Sequence, residues 1–304
     1  MTEQATEQTP CGSLHGWHRA ISVFRLRMPL PLLFVIMAKC FAWAIITPPW
    51  TTPDEPVHFA YVQRLAIQHR LPAAGTFSQT SLSPQESAVL SASNWAAATG
   101  QPATGAMAYT RSQAQNLREV LSRHLSGDGG AHLYIGGYPP LYYLLNVPAY
   151  WLAGRSLLSK LFAMRLESSL LGVLACLILY GLVLDNAGPS IAAAAVLAYG
   201  MLPEMSMIYA SVNNDVLVDF LGVVLLVPLL GKRGVKAGAA RGVLWGVVCG
   251  FALLSKAEAW PLIMVVGCGL FVAWYRKDDG MRTFLVTVLT AGILYSPWAI
   301  YVHV

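Results

Sequence analysis

Seven long apolar stretches dominate this sequence of 304 residues, and none of them contains more than two charged residues. Several are long enough to cross roughly 30 Å of hydrocarbon as a helix. Apolar residues make up 56% of the chain and charged residues only 12%, a balance that does not suit a soluble domain. The sequence therefore predicts an all-α polytopic membrane protein with about seven transmembrane helices. The stretches are Leu30–Thr47, Phe162–Leu184, Ile191–Ala210, Val212–Leu230, Gly242–Ser255, Ala259–Tyr275 and Thr283–Val302.

Many of the basic residues form three clusters beside these stretches. Short loops rich in Lys and Arg stay on the cytoplasmic side of a membrane, so the net charge of +5 indicates topology and not a nucleic-acid partner. We expect residues 1–28 to be a cytoplasmic N-terminal tail and residues 29–304 to form the transmembrane domain. The clusters are Arg19, Arg25 and Arg27, then Lys232, Arg233, Lys236 and Arg241, and finally Arg276, Lys277 and Arg282.

A further apolar segment, Pro139–Ala153, is shorter and is interrupted by Pro148. Counting it as a span would place both later basic clusters outside the cell. We therefore predict an interfacial or re-entrant helix, which leaves residues 48–161 as one long first outer loop. Two short turns, 211–215 and 255–258, then lie on the same outer side.

The outer loop is expected to have three parts. An acidic motif begins a helix, a Ser/Ala/Thr/Gly-rich stretch follows, and the chain returns to the membrane at Gly136–Pro140. Between Leu71 and Thr110 the only charged residue is Glu86, which predicts a flexible cover.

The acidic motif combines Asp54 and Glu55 with Pro56 and His58. Pro suits the first helical turn, and an acidic residue before it can simply cap the helix. A second interpretation makes Asp54, Glu55 and His58 ligands of a divalent metal, although no spacing signature supports it. The following apolar positions predict a helix that lies on the membrane surface. They are Phe59, Val62, Leu65 and Ala66.

These landmarks, in this order, resemble the GT-C superfamily of membrane glycosyltransferases, which use polyprenyl-phosphate-linked sugars and include protein O-mannosyltransferases and aminoarabinose transferases. The resemblance covers roughly residues 30 to 302. The acidic motif and the Pro-Pro-Leu-Tyr-Tyr segment are its more specific parts. The motifs are Pro53-Asp54-Glu55-Pro56-Val57-His58-Phe59, Tyr138-Pro139-Pro140-Leu141-Tyr142-Tyr143, Arg165-Leu166-Glu167-Ser168, Asn213-Asn214-Asp215 and Leu254-Ser255-Lys256.

The resemblance implies sugar transfer at the outer face of a bacterial-type inner membrane, with inversion at the anomeric carbon. It implies that Asp54 is the general base, supported by Glu55, and that polyprenyl phosphate is the leaving group. Lys256 is then the phosphate-side cation and Arg165 a second candidate. The alternatives for these cations are an ion pair between Lys256 and Glu258, snorkelling, or a lipid headgroup contact.

The resemblance also implies that the substrate contacts His58, Tyr138, Asn214 and Asp215. The two residues of the Asn-Asn-Asp turn are equally well explained as capping the next helix. Tyrosines gather at membrane interfaces in any case. No cofactor is expected, although the divalent metal stays open, and the expected partners are the lipid-linked donor, membrane lipid and an acceptor of unknown class.

The chain ends at Val304, whereas GT-C enzymes usually continue through further spans, so we expect either a short member or a fragment. A competing hypothesis is therefore a non-catalytic protein that binds or helps to move a lipid-linked glycan. A secondary transporter would predict inverted repeats with broken helices, and the sequence shows no such symmetry.

Overall fold

A computed structural model describes residues 27–74, 82–92, 110–123, 125, 127–130, 132–230, 238–275 and 280–303. The N-terminal tail up to residue 26, most of the expected flexible cover and most of the two later basic clusters lie outside these residues. The predictions for those segments therefore stay predictions.

The described residues are mostly helical, as predicted. Two strands of two residues each, β1 (Ala73–Ala74) and β2 (His132–Leu133), and a 3₁₀ turn at Ala257–Ala259 complete the elements. The α-helices are α1 (Leu30–Ile46), α2 (Glu55–Gln68), α3 (Pro84–Ala92), α4 (Arg111–Ser122), α5 (Leu141–Leu152), α6 (Leu157–Ala187), α7 (Pro189–Met201), α8 (Pro203–Tyr209), α9 (Asp215–Leu230), α10 (Ala239–Ser255), α11 (Trp260–Tyr275) and α12 (Gly280–His303).

Each predicted apolar stretch coincides with a helix or, in one case, with a broken pair of helices. Within the described ranges, α6 and α12 are individually long and apolar enough to cross a membrane. The stretch Ile191–Ala210 was expected to be one span, but α7 and α8 meet at a bend of 67°. Pro203 explains the break, because a proline disfavours helical geometry at the preceding residue, and Leu202 is accordingly extended at ψ 128°. If the bent pair is one span, the described residues contain up to three such candidates.

The long helix α6 packs against α1, α7 and α9. Small residues bring α10 and α12 together, because Gly242, Gly246 and Gly250 follow one face of α10. A Cβ atom at Gly246 would lie 2.4 Å from the Cβ of Thr290, so the two backbones approach more closely than any larger residue permits.

The apolar positions of α2 had suggested a helix on the membrane surface. In the structure, α2 is buried by protein on nearly every side, including Glu55, His58 and Gln63. The helix α5 packs on it, and residues from 127–130 and 132–138 contact it. The long loop between α1 and α6 returns beside α2, because β1 and β2 pair in parallel, Ala73 with His132 and Ala74 with Leu133.

Candidate functional site

The side chain of Asp54 does not cap the helix that it precedes. Its backbone lies in the left-handed region at φ 58°, and within the described part of the chain its carboxylate makes no capping hydrogen bond to α2. That conformation is uncommon for a residue other than glycine, although aspartate tolerates it better than most. The side chain is exposed, and its Oδ1 accepts a hydrogen bond from the hydroxyl of Tyr134.

Glu55, the adjacent acid, is fully buried and fully bonded. Its Oε1 accepts from Nε of Arg165 at 2.7 Å and from the backbone N–H of Val212 at 3.3 Å. Its Oε2 accepts from Nη2 of Arg165 at 2.6 Å and from the backbone N–H of Trp50 at 3.2 Å. Glu55 thus joins three segments of the chain, and its carboxylate is shielded from solvent.

Arg165 uses all five of its N–H donors within the protein. Two reach Glu55, and the others reach the carbonyl oxygens of Ala44 at 3.2 Å, Thr47 at 2.6 Å and Pro48 at 3.1 Å. Those carbonyls lie at the end of α1, where helical backbone acceptors lack partners inside the helix. Arg165 therefore fastens the end of α1 to the start of α2. In this arrangement it has no donor left for the phosphate contact that the sequence had suggested.

His58 is buried, and its Nδ1 shares a hydrogen bond of 2.9 Å with the hydroxyl of Tyr143. The ring of Tyr143 also stacks on Tyr61, with centroids 3.8 Å apart. Burial, together with the positive charge of Lys256, lowers the pKa of His58 to about 3. His58 is therefore a neutral imidazole that supports the stacked rings of Tyr143 and Tyr61.

The three alternative metal ligands diverge. Asp54 turns to Tyr134, Glu55 to Arg165 and His58 to Tyr143. Across the residues that the structure describes, no group of three or more His, Cys, Asp or Glu side chains is placed to hold a metal ion.

The three residues of the Asn-Asn-Asp turn each have a different partner. The Oδ1 of Asn213 accepts from the backbone N–H of Asp215 at 2.9 Å, so Asn213 caps α9. Asn214 is buried and donates to the carbonyl of Ser255 at 3.0 Å, which ties the start of α9 to the end of α10. Asp215 is left to pair with Lys256, its Oδ1 lying 2.6 Å from Nζ.

Lys256 thus pairs with Asp215 and not with Glu258, the partner suggested by the short turn. Both members of the pair are partly exposed, at 25% for Lys256 and 35% for Asp215. Burial works against the charge on Lys256, but the hydrogen bond and the charge of Asp215, helped by Glu258, raise its pKa above the ordinary value. The ammonium group stays charged and reachable from solvent.

Tyr138 connects the acidic motif to this ion pair. Burial raises the pKa of its hydroxyl, and the charges of Glu258, Lys256, Asp54 and Asp215 all act on it. Its carbonyl accepts a hydrogen bond of 3.0 Å from the hydroxyl of Tyr61 on α2. Asp54, Asp215 and Lys256 are therefore all close enough to Tyr138 to act on its hydroxyl electrostatically.

Two further tyrosines take part in this arrangement: Tyr142 of the Pro-Pro-Leu-Tyr-Tyr segment, and Tyr134, which the sequence had not singled out. Tyr134 holds the Asp54 carboxylate, and the hydroxyl of Tyr142 lies 3.0 Å from Ser168 and accepts from the backbone N–H of Asn213 at 2.9 Å. The local sequence around Tyr134 shows only that it stands between two apolar residues, Leu133 and Ile135. Nothing local indicates a partner 80 residues away.

A cavity of about 290 Å³ lies beside the acidic motif at the end of α1. Its lining is mostly apolar and includes Trp43, Ile46 and Met207, together with Thr52, whose hydroxyl is buried.

Comparison with known proteins places residues 37–303 in one family, described as "Predicted membrane protein (DUF2142)". No curated protein matches the chain. No solved structure matches it either. The family match covers most of the sequence and agrees with the apolar helices found here. The chain therefore belongs to the DUF2142 family of membrane proteins.

Proposed function

We propose that this protein transfers a sugar from a polyprenyl-phosphate-linked donor to an acceptor at the outer face of the membrane, in the manner of the GT-C glycosyltransferases. One observation carries the proposal. In the acidic motif, Glu55 is buried and paired with Arg165, whereas Asp54 is exposed and bonded to a neutral hydroxyl. Asp215, the acid of the Asn-Asn-Asp turn, is paired with Lys256. A carboxylate that is accessible and unneutralised can accept the proton of an attacking acceptor.

The leaving group in this reaction is a phosphate, and Lys256 supplies the charge that stabilises it. Its ammonium carries three donors and gives one to Asp215, so two can reach phosphate oxygens. The partly exposed pair keeps the ammonium in place before the donor binds. The charges of Asp54 and Lys256 both act on the hydroxyl of Tyr138, which supports a proposed base and a proposed phosphate contact that lie near each other.

The lipid part of the donor requires an apolar path beside this surface. The cavity at the end of α1 is lined by Trp43, Ile46 and Met207, and it lies next to exposed apolar side chains such as Ile45. Apolar chains are favoured there because contact with them removes hydrocarbon from water. This supports membrane lipid and the polyprenyl chain as partners.

The same proposal includes the finer topology. Seven spans, counted as α1, α6, the α7–α8 pair, α9, α10, α11 and α12, put the N-terminus and the basic clusters in the cytoplasm and Asp54 outside. The helix α5 has 12 residues, too few to span a membrane, which supports an interfacial position. The membrane that fits this arrangement is a bacterial-type inner membrane.

The first test is whether the protein transfers sugar or only binds the donor. Purified protein in lipid nanodiscs is given a panel of polyprenyl-phosphate-linked hexoses, pentoses and amino sugars, with envelope glycolipids and peptides as acceptors. We expect release of polyprenyl phosphate together with a glycosylated product of inverted anomeric configuration. Saturable donor binding without any release across the panel would overturn the enzymatic proposal and would favour the non-catalytic binder.

A further inference from the structure

Tyr134 and Asp54 are 80 residues apart in the sequence and are joined by a hydrogen bond from the phenol to the carboxylate. A hydrogen bond to an ionised acceptor is stronger than one between neutral groups and more dependent on direction. Because the Asp54 side chain is exposed and makes no capping bond with the described helix α2, this contact is what fixes its orientation.

The position of Tyr134 is itself set by packing on both sides. Leu133 and Ile135 are buried at 0% and 1% exposure, while Tyr134 between them is 38% exposed. Tyr134 therefore lies outward between two buried neighbours, in the turn that follows β2. Pairing of β2 with β1 and a hydrogen bond of 2.8 Å from the N–H of Tyr138 to the carbonyl of Ile135 hold the segment in place.

The same segment is fastened to α2, the helix that Asp54 precedes. Upstream, the N–H of Gly129 donates to Gln63 at 2.8 Å and Arg64 donates to the carbonyl of Gly130. A side chain at Gly129 would collide with this helix, because its Cβ would lie 2.5 Å from the carbonyl oxygen of Ala60. Tyr134 and Asp54 are therefore both held in place relative to the same helix, α2.

We propose that Tyr134 is a positioning residue for Asp54, holding Oδ1 so that Oδ2 faces the acceptor whose proton it removes. Its catalytic meaning rests on the proposed function, whereas the positioning itself does not. Burial and the bond to Asp54 raise the pKa of Tyr134, so the phenol keeps its proton at physiological pH.

The positioning is tested without a substrate. A water-soluble carbodiimide with an amine nucleophile labels reachable carboxyl groups, and peptide mass spectrometry follows the rate of labelling of Asp54 at one fixed pH. In Tyr134→Phe we expect this rate to rise roughly threefold, because the carboxylate is no longer held by the phenol. Tyr199→Phe, which removes a hydroxyl bonded to Tyr209, is the matched control and should leave the rate unchanged. Equal labelling rates in the two variants would overturn the inference.

Turnover then separates this inference from the proposed function. We expect Tyr134→Phe to lower kcat roughly tenfold and to leave the KM for the donor within about twofold. Faster labelling of Asp54 without a change in kcat would remove the catalytic part of the inference. If Asp54→Asn keeps full turnover, the proposed base fails, while the labelling experiment still decides whether Tyr134 holds Asp54.

Discussion

Arg165 holds Glu55 through two parallel hydrogen bonds of 2.7 and 2.6 Å, with both side chains almost fully buried. The remaining donors of Arg165 close the end of α1, so this pair joins the first predicted span to the helix that follows the proposed base. The arrangement makes the buried acid a support and leaves Asp54 as the chemically available one. Each member would be an uncompensated buried charge without the other.

Arg165→Ala is therefore expected to destabilise the protein by about 3–5 kcal/mol, since it leaves the Glu55 carboxylate buried without a counterion. The surface pair of Arg123 and Glu119 provides the control, because its side chains are 57% and 67% exposed. Arg123→Ala should cost less than about 1 kcal/mol. Denaturant unfolding of both variants in the same detergent measures the difference, and equal losses would contradict a structural role for the buried pair.

Stability should fall in acid because of His58, whose folded-state pKa is about 3. An unfolded chain protonates its imidazole near pH 6.5, so between pH 6.5 and 3 the unfolded state binds more protons than the folded one. The contribution of His58 to the free energy of unfolding is therefore fully present above pH 6.5. It is lost as the pH falls, by up to about 1.4 kcal/mol per pH unit. Unfolding of His58→Gln from pH 7.5 to 4.5 should show a flatter profile, whereas the exposed control His69→Asn should keep the slope. If the free energy of unfolding depended on pH in the same way in the native protein and both variants, His58 would not be the source of the acid sensitivity.

The sequence predicted the helices well because absence of charge is a local property. It did not predict that α2 is buried, since α5 and residues 127–138 reach that helix from far along the chain. Glu55 and Arg165 were both recognised as candidates, but only the fold shows that they bind each other, 110 residues apart.

The contact between Tyr134 and Asp54 was missed for the same physical reason. The break before Pro203 had a local signal in the proline itself, but the stretch around it is apolar enough overall to resemble a single span.

Glu86 should give a dependence of stability on pH that is opposite to that of His58. Burial raises its pKa to about 7, with the nearby charge of Asp128 adding to the effect and the bonds from Ser83 opposing it. Between roughly pH 4.5 and 7 the folded state then binds more protons than the unfolded state, so this contribution is present at low pH and is lost as pH rises. At pH 8, Glu86→Gln should unfold at a higher denaturant concentration than the native protein. At pH 4.5 the two proteins should unfold at the same concentration. A uniform shift at both pH values would contradict the assignment.

Lys256→Ala is expected to lower kcat/KM for the lipid-phosphate donor roughly 100-fold, because it removes the charge proposed to stabilise the leaving phosphate. Folding should be little affected, since Asp215 is partly exposed and can be hydrated. Lys160→Ala is the control, as that cation contacts Tyr150 and has no part in the proposed reaction. Equal activities of the two variants would remove Lys256 from the site.

The most direct measurement is the initial rate of polyprenyl phosphate release by Asp54→Asn, compared with the native protein and with Glu119→Gln, a variant at an exposed acid of the same long loop. Asp54→Asn keeps the size of the side chain and its contact with Tyr134 but removes the basic carboxylate. We expect the Asp54→Asn rate to fall at least 100-fold with donor binding preserved, while Glu119→Gln stays within about twofold. Release by Asp54→Asn at the native rate would contradict the central claim that Asp54 is the base.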